Sequence, residues 1–193
     1  MIKPLLMTAV ATFACLASAA SVAGAPQDSS AASDETVIYE TFLNHWLGND
    51  HSPILISEVA TPPEGQDVKE YAECAGKAGF NNVQWRVSTS KRNLREILGN
   101  LHYVHFVDPK KWHPRDPGAL IAKGQSVGEA VNAGMAHALM SFSTITFDKE
   151  HRLAALSYSS VCGSLCGTGG EMLFVKTTSG WVSSPQRCSG WMS

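Results

Sequence analysis

The cysteines constrain this chain most. Cys15 sits in an apolar N-terminal stretch, while Cys74, Cys162, Cys166 and Cys188 are spread over the remainder. In an oxidising compartment an even set pairs, and four cysteines permit three connectivities. Cys162 and Cys166 are near enough in sequence to bridge locally, with Gly163 and Gly167 relaxing the backbone that must curl. That bridge would leave Cys74 with Cys188, a pairing that depends on the approach of their α-carbons. Chain-entropy arguments give the local loop about 2 kcal/mol and the long one nearly ~5 kcal/mol.

The N-terminus argues for such a compartment. Lys3, the apolar run 5–16 and the small residues after it have the three-part layout of a secretory signal peptide. It is expected to span 1–24, with cleavage after Ala19 or near Ala23. Thr8, Thr12 and the Ser/Ala/Gly-rich tail suit a membrane span poorly, since a span needs about 20 predominantly apolar residues. Thr12-Phe13-Ala14 ahead of Cys15 is also a poor lipid-attachment signal. The expected location is periplasmic or secreted, with no membrane span after processing.

Residues 25–33, rich in Ala, Ser, Pro, Gln and Asp, read as a flexible lead-in. Residues 34–193 are expected to form a single globular domain, long enough for a core of its own. The formal charge of -2 becomes -3 once Lys3 is removed. Nucleic acid and anionic membranes demand a concentrated cationic surface, so this mild acidity argues against either as the main partner. Arg86, Lys91, Arg92 and Arg95 read as a solvated helix face.

Helical spacing is clearest in Ile38, Phe42, Leu43, Trp46 and Leu47, with Asp34 as cap and Gly48 as stop. Ile54, Leu55 and Ile56 read as a buried strand. Asp67 and Glu70 stand at capping-box spacing before a helix carrying Cys74. Residues 82–88 alternate like a half-buried strand, Leu94, Ile97, Leu98 and Leu101 return to helical spacing, and 103–107 is extended again. The segment 108–125, holding Trp112 and His113, reads as the longest surface loop. Ser126 and Glu129 box a further helix. From Leu139 onward strands are expected at 141–147, 152–161, 171–177 and 181–184. The fold class is therefore α+β: N-terminal helices packed on a curved, mostly antiparallel sheet that ends in a C-terminal meander.

The last third carries a resemblance. A strand ending in Phe147 and Asp148, the segment Cys162-Gly163-Ser164-Leu165-Cys166-Gly167, the pair Gly180-Trp181 and the ending Trp191-Met192-Ser193 resemble a group of uncharacterised exported bacterial proteins. The opening helix, 36–47, is also similar to theirs. The resemblance implies one compact exported domain and no particular activity.

Several chemistries can be weighed. A redox pair normally has two intervening residues at a helix N-terminus, whereas three separate Cys162 from Cys166 and strands flank them, so a structural bridge is preferred. Thiolates at this spacing could share copper, with Met172 and histidines completing the shell. His102 and His105, three apart on a strand, point to opposite faces and make a poor zinc pair. No Gly-x-Ser-x-Gly elbow exposes a nucleophile. Glu58, Glu64, Asp67, Glu70 and Glu73 could supply paired carboxylates but read as a solvated rim. Gly167-Thr168-Gly169-Gly170 lacks the following helix that a phosphate loop needs. Trp112 and Trp181 could line a peptide or sugar groove, with core packing the preferred use. No catalytic residue, metal ligand or cofactor is assigned.

The leading expectation is a non-enzymatic exported domain that binds an envelope or secreted protein or a small ligand. One alternative is a thiol redox or copper-handling protein using Cys162 and Cys166. Another is a small hydrolase with its site in the sheet's concavity, using His113 or an acid from 58–73.

Overall fold

Ile38, Tyr39, Phe42 and Leu43 recur at helical spacing, and all four are fully buried. The computed structural model describes residues 29–48, 52–164 and 166–193, with side chains described from Asp34 onward. The expected signal peptide and its cleavage points lie outside the described residues. Helix α1 (Ser29–Leu47) lays its apolar stripe on one face of the main sheet. Gly48, in the left-handed region at φ 57°, stops it while its N–H donates to the Asn44 carbonyl at 3.0 Å. Asp34 lies inside α1 and does not cap it. Its carboxylate meets His151 Nε2 and Lys176 Nζ, each at 2.8 Å, and ties the helix to the sheet.

The chain continues through β1 (Ile54–Ser57), β2 (Val59–Ala60), α2 (Gly65–Lys77), β3 (Trp85–Arg86), β4 (Arg92–Asn93), α3 (Leu94–Leu98) and β5 (Val104–Val107). Then come α4 (Pro117–Ala122), α5 (Val127–Met135), β6 (Leu139–Phe142), β7 (Thr146–Asp148), β8 (Leu153–Gly163), β9 (Cys166–Thr177), β10 (Gly180–Ser183) and β11 (Gly190–Met192). The α+β expectation and the C-terminal meander hold. The main sheet runs β10-β9-β8-β6-β1-β5, with β7 also on β8, β11 also on β9 and β3 on β7. Pairing is antiparallel except at β1, which is parallel to both β5 and β6.

Several boundaries differ from the sequence reading for local reasons. The box of α2 is formed by Glu64 and Asp67, one turn earlier than expected, because the backbone N–H of Glu64 donates to the Asp67 carboxylate at 2.6 Å. The 108–125 segment is not all loop: Asp116 accepts from the Ala119 N–H at 3.1 Å and starts α4, with Pro117 at its first position. The Ser126/Glu129 box opens α5 as expected. The strand expected over 141–147 is two strands with a break, and the one expected over 82–88 shortens to β3.

Alternation along β8 and β9 gives the sheet two covered faces. Ala154, Leu156 and Phe174 face α1 together with Met140 and Phe142. Ala155 and Leu173 face α2, where they pack on Tyr71, Cys74 and Ala75. Cys74 bridges Cys188 in the connection from β10 to β11, with α-carbons 5.1 Å apart, and Cys162 bridges Cys166 across the end of the β8–β9 hairpin at 5.2 Å. The pairings therefore follow the expected connectivity.

The long bridge spans a separation of 114 residues and the short one 4. Replacing Cys74 and Cys188 by Ala is expected to lower unfolding stability by about 4–5 kcal/mol, against about 2 kcal/mol for the Cys162/Cys166 pair. Urea unfolding of the two double variants checks the order.

Candidate functional site

The interruption between β6 and β7 positions the site. Both strands lie on the same edge of β8, β6 against Tyr158–Val161 and β7 against Ala154–Ala155. Between them the chain leaves the ladder at Ser143, which forms a parallel bridge with Thr61. The Ser143 N–H still reaches the Ser157 carbonyl at 2.9 Å, and the Thr144 N–H donates to the Thr61 carbonyl at 2.7 Å.

Two buried tyrosines converge there from opposite faces. Tyr39, on α1, donates its hydroxyl to the Ser143 carbonyl at 2.9 Å. Tyr71, on α2, lies 3.1 Å from Ser143 Oγ and 2.8 Å from Ser157 Oγ. Ser143 Oγ also accepts the Ser157 N–H at 2.8 Å and faces the Thr144 carbonyl at 3.1 Å. The donors balance if Ser143 gives its proton to that carbonyl, Tyr71 gives its own to Ser143, and Ser157 gives its own to Tyr71. Burial pushes the Tyr71 phenol up to about 12 and keeps it a neutral donor.

Above this junction lies a groove of about 490 Å3. Its floor carries small hydroxyl side chains in register, with Ser141 opposite Ser159 on β6 and β8 and Ser157 opposite Glu171 on β8 and β9. Glu64 and Asp67, at the start of α2, form one wall and Trp191, on β11, the other. The indole needs glycine beneath it, because a Cβ on Gly169 would come within 2.6 Å of Trp191 Nε1 and one on Gly167 within 3.2 Å of the ring. Trp191 is nevertheless 48 % exposed, so part of the indole stays open to solvent. A wider hollow of about 710 Å3, bounded by the 183–190 loop, shares Tyr158, Glu171 and Trp191 with the groove.

Glu171 supplies the unusual electrostatics. The Ser189 hydroxyl sits between two carboxylates, hydrogen-bonded to Glu70 and, at 2.7 Å, to Glu171. A hydroxyl has one hydrogen, so the clasp closes when one acid keeps its proton. Glu171 is the acid that keeps it: desolvation, against the Ser189 hydrogen bond and together with the charges of Glu70 and Asp67, pushes it up to about 7. The hydrogen bonds from Ser189 and Gln66 hold Glu70 below its ordinary value.

The residues singled out from the sequence scatter. Glu64 and Asp67 line the groove and Glu70 joins the clasp, whereas Glu58 pairs with Arg95 at 3.5 Å and Glu73 is exposed. Trp181 is buried in the core, and Trp112 donates its indole N–H to the His137 carbonyl at 3.2 Å. His113 is exposed and lines neither hollow. His102 stacks edge-on against Tyr103, while His105 lies on β5. Among the described residues no group of three or more His, Cys, Asp and Glu could hold a metal. Met172 pairs with Leu156 and packs on the α1 core, far along β8 from Cys162. Gly167 and Gly169 form a seat for an indole, and β9 runs through them as strand.

Sequence reasoning missed Tyr71, Ser143, Ser157, Glu171, Ser189 and Trp191. One local signal was present: Glu171 is the only acid in a strand otherwise composed of glycine, hydroxyl and apolar residues up to Lys176. Compared with known proteins, the chain matches no family model, no curated protein and no solved structure.

Ser143→Ala strips the junction of an acceptor for two buried donors and is expected to cost about 1–3 kcal/mol. Ser159→Ala, on the groove floor, should stay within about 0.5 kcal/mol of the parent; urea unfolding separates the two. The folded state holds the Glu171 proton to about pH 7 against an ordinary value of 4.5, so between these values it binds more protons than the unfolded chain. Stability contributed by the protonated acid is thus full below that window and falls as pH rises through it. Thermal unfolding should show Glu171→Gln gaining on the parent between pH 4.5 and about pH 7, with the two nearly equal below that window.

Proposed function

We propose that this is an exported, disulfide-stapled binding domain, and that the groove between α2 and Trp191 takes a small polyhydroxylated ligand bearing an amino group, as an amino sugar does. The observation that carries this reading is the pairing of a half-exposed indole, seated on Gly167 and Gly169, with a floor of serine hydroxyls. An indole face accepts the apolar face of a sugar ring, and in-plane hydroxyls and carboxylates accept its polar rim. Glu64 and Asp67 line the groove while no lysine, arginine or histidine is among its described lining residues, which favours an ammonium over an anion.

The same geometry favours binding over hydrolysis. The hydroxyls of Ser143 and Ser157 are held by Tyr71, and no imidazole is among the described residues that line the groove to act as base. Glu70 and Glu171 meet through one shared hydroxyl, an arrangement that suits a structural clasp. Export is supported by two disulfides, which form in oxidising compartments. No helix among the described residues is long and apolar enough to cross a membrane. The proposed groove also uses residues that carry the resemblance to uncharacterised exported bacterial proteins: Gly167, of the Cys-Gly segment, supports Trp191, of the Trp-x-Ser ending.

Titration of the purified domain with glucosamine oligomers and their N-acetylated counterparts, followed by amide chemical shifts and tryptophan fluorescence, tests the reading. Shifts confined to the groove, stronger for the free amines and weakened about tenfold or more by Trp191→Ala, are expected. Equal response to both series removes the ammonium assignment, and no response at millimolar ligand overturns the site. Export is tested separately by fractionating cells that express the full chain, where a shortened, oxidised product outside the cytosol is expected.

A further inference from the structure

The end of the β8–β9 hairpin brings a third sulfur to the Cys162–Cys166 pair. Met135, the last residue of α5, places its Sδ 3.6 Å from Cys162 Sγ and 3.9 Å from Cys166 Sγ. Cys162 is 1 % exposed, while Met135 is 55 % exposed, so the cluster opens to solvent on the thioether side. We propose that the reduced form of this cluster is a binding site for a soft monovalent cation, cuprous copper, held by Cys162, Cys166 and Met135.

The distances suit that ion. A metal–sulfur bond of about 2.3 Å puts the three sulfurs of a planar trigonal site about 4 Å apart, and both thioether separations already lie near that value. Two thiolates and a thioether form the donor set that selects cuprous copper, whereas zinc prefers imidazole or carboxylate to a thioether. Contacts other than the disulfide fix the scaffold around the sulfurs. Asp116 Oδ2 accepts from the Ser164 N–H at 2.8 Å and its hydroxyl at 2.9 Å, while Oδ1 caps α4 at the Ala119 N–H. A Cβ on Gly163 would come within 2.6 Å of that carboxylate, and one on Gly134 within 2.8 Å of Pro117. Hairpin, α4 and α5 are thereby locked close enough for Met135 to cover the cysteines.

The chemistry balances with a dithiol as reductant. It transfers two electrons and two protons, opening the Cys162–Cys166 bond to two thiols and closing to its own disulfide. Cuprous ion then forms two bonds to thiolate and one to Met135 Sδ, and two thiol protons are released. The thioether is the part of the site that sequence reading, which considered Met172, did not find.

The test uses the folded domain treated with a dithiol under nitrogen, with alkylation and mass mapping to follow each cysteine pair, and chelator competition to measure cuprous affinity. One equivalent of cuprous ion is expected to leave the competing chelator for the reduced domain. Met135→Leu should weaken it at least about tenfold, the loss that even an outer-sphere partner brings. Cys166→Ser should abolish binding, and Met172→Leu should leave it unchanged. Met135 is largely exposed, so its variant remains folded and circular dichroism verifies this. No transfer from the chelator overturns the proposal. So does equal affinity of parent and Met135→Leu, or a Cys162–Cys166 bond that resists reduction while Cys74–Cys188 opens.

Discussion

A strand that breaks inside a sheet leaves backbone groups without ladder partners, and such groups must be satisfied elsewhere. Here that constraint falls on Ser143. Its carbonyl is taken by Tyr39 from the α1 side, its hydroxyl by Tyr71 from the α2 side, and its neighbours by Thr61. Both helices are thus referenced to the same residue through the sheet. The groove lies beside this break, and its lining includes Ser143 and Ser157, which Tyr71 holds.

The covalent links divide the work differently. Cys74–Cys188 anchors α2 to the connection before β11 and so sets the distance between the acidic wall and Trp191. The Ser189 clasp, next to that bridge, adds a proton-dependent contact between α2, β9 and the same connection. Cys162–Cys166 closes a hairpin whose strands are already paired along their length, and its neighbourhood is held by Asp116. A bond that adds little to the fold is free to serve another purpose, and the exposed Met135 thioether beside it is consistent with one.

Much of the fold was legible because its signals are local. The stripe of α1, the Ser126/Glu129 box, β8, the second half of β9 and β10 follow from spacing and capping, whereas the first half of β9 read as loop and β11 was not anticipated. The break at 143–145 was not legible: Ser141 to Phe147 alternates well enough for one strand, and only the competing bridge to Thr61 divides it. Asp34 reads as a cap from the residues around it, yet its partners His151 and Lys176 lie more than a hundred positions away. The acids of 58–73 could be picked out as a group, but Glu171, which gives the groove its proton, comes from the other end of the chain.

By itself the sequence determined the class of fold and the covering of the sheet by its first helix, and two closely spaced cysteines pointed to a local bridge, while the pairing of Cys74 with Cys188 rests on the approach of their α-carbons. The first three depend on periodicity, capping and short loops, all of which are written within a few residues. The tertiary structure alone decided that Ser143, Ser157 and Glu171 line one groove with Trp191, that Tyr71 holds the two serines, and that Met135 faces Cys162 and Cys166. Such meetings depend on strand register and helix packing between distant segments, where a shift of one residue would send each side chain to the opposite face.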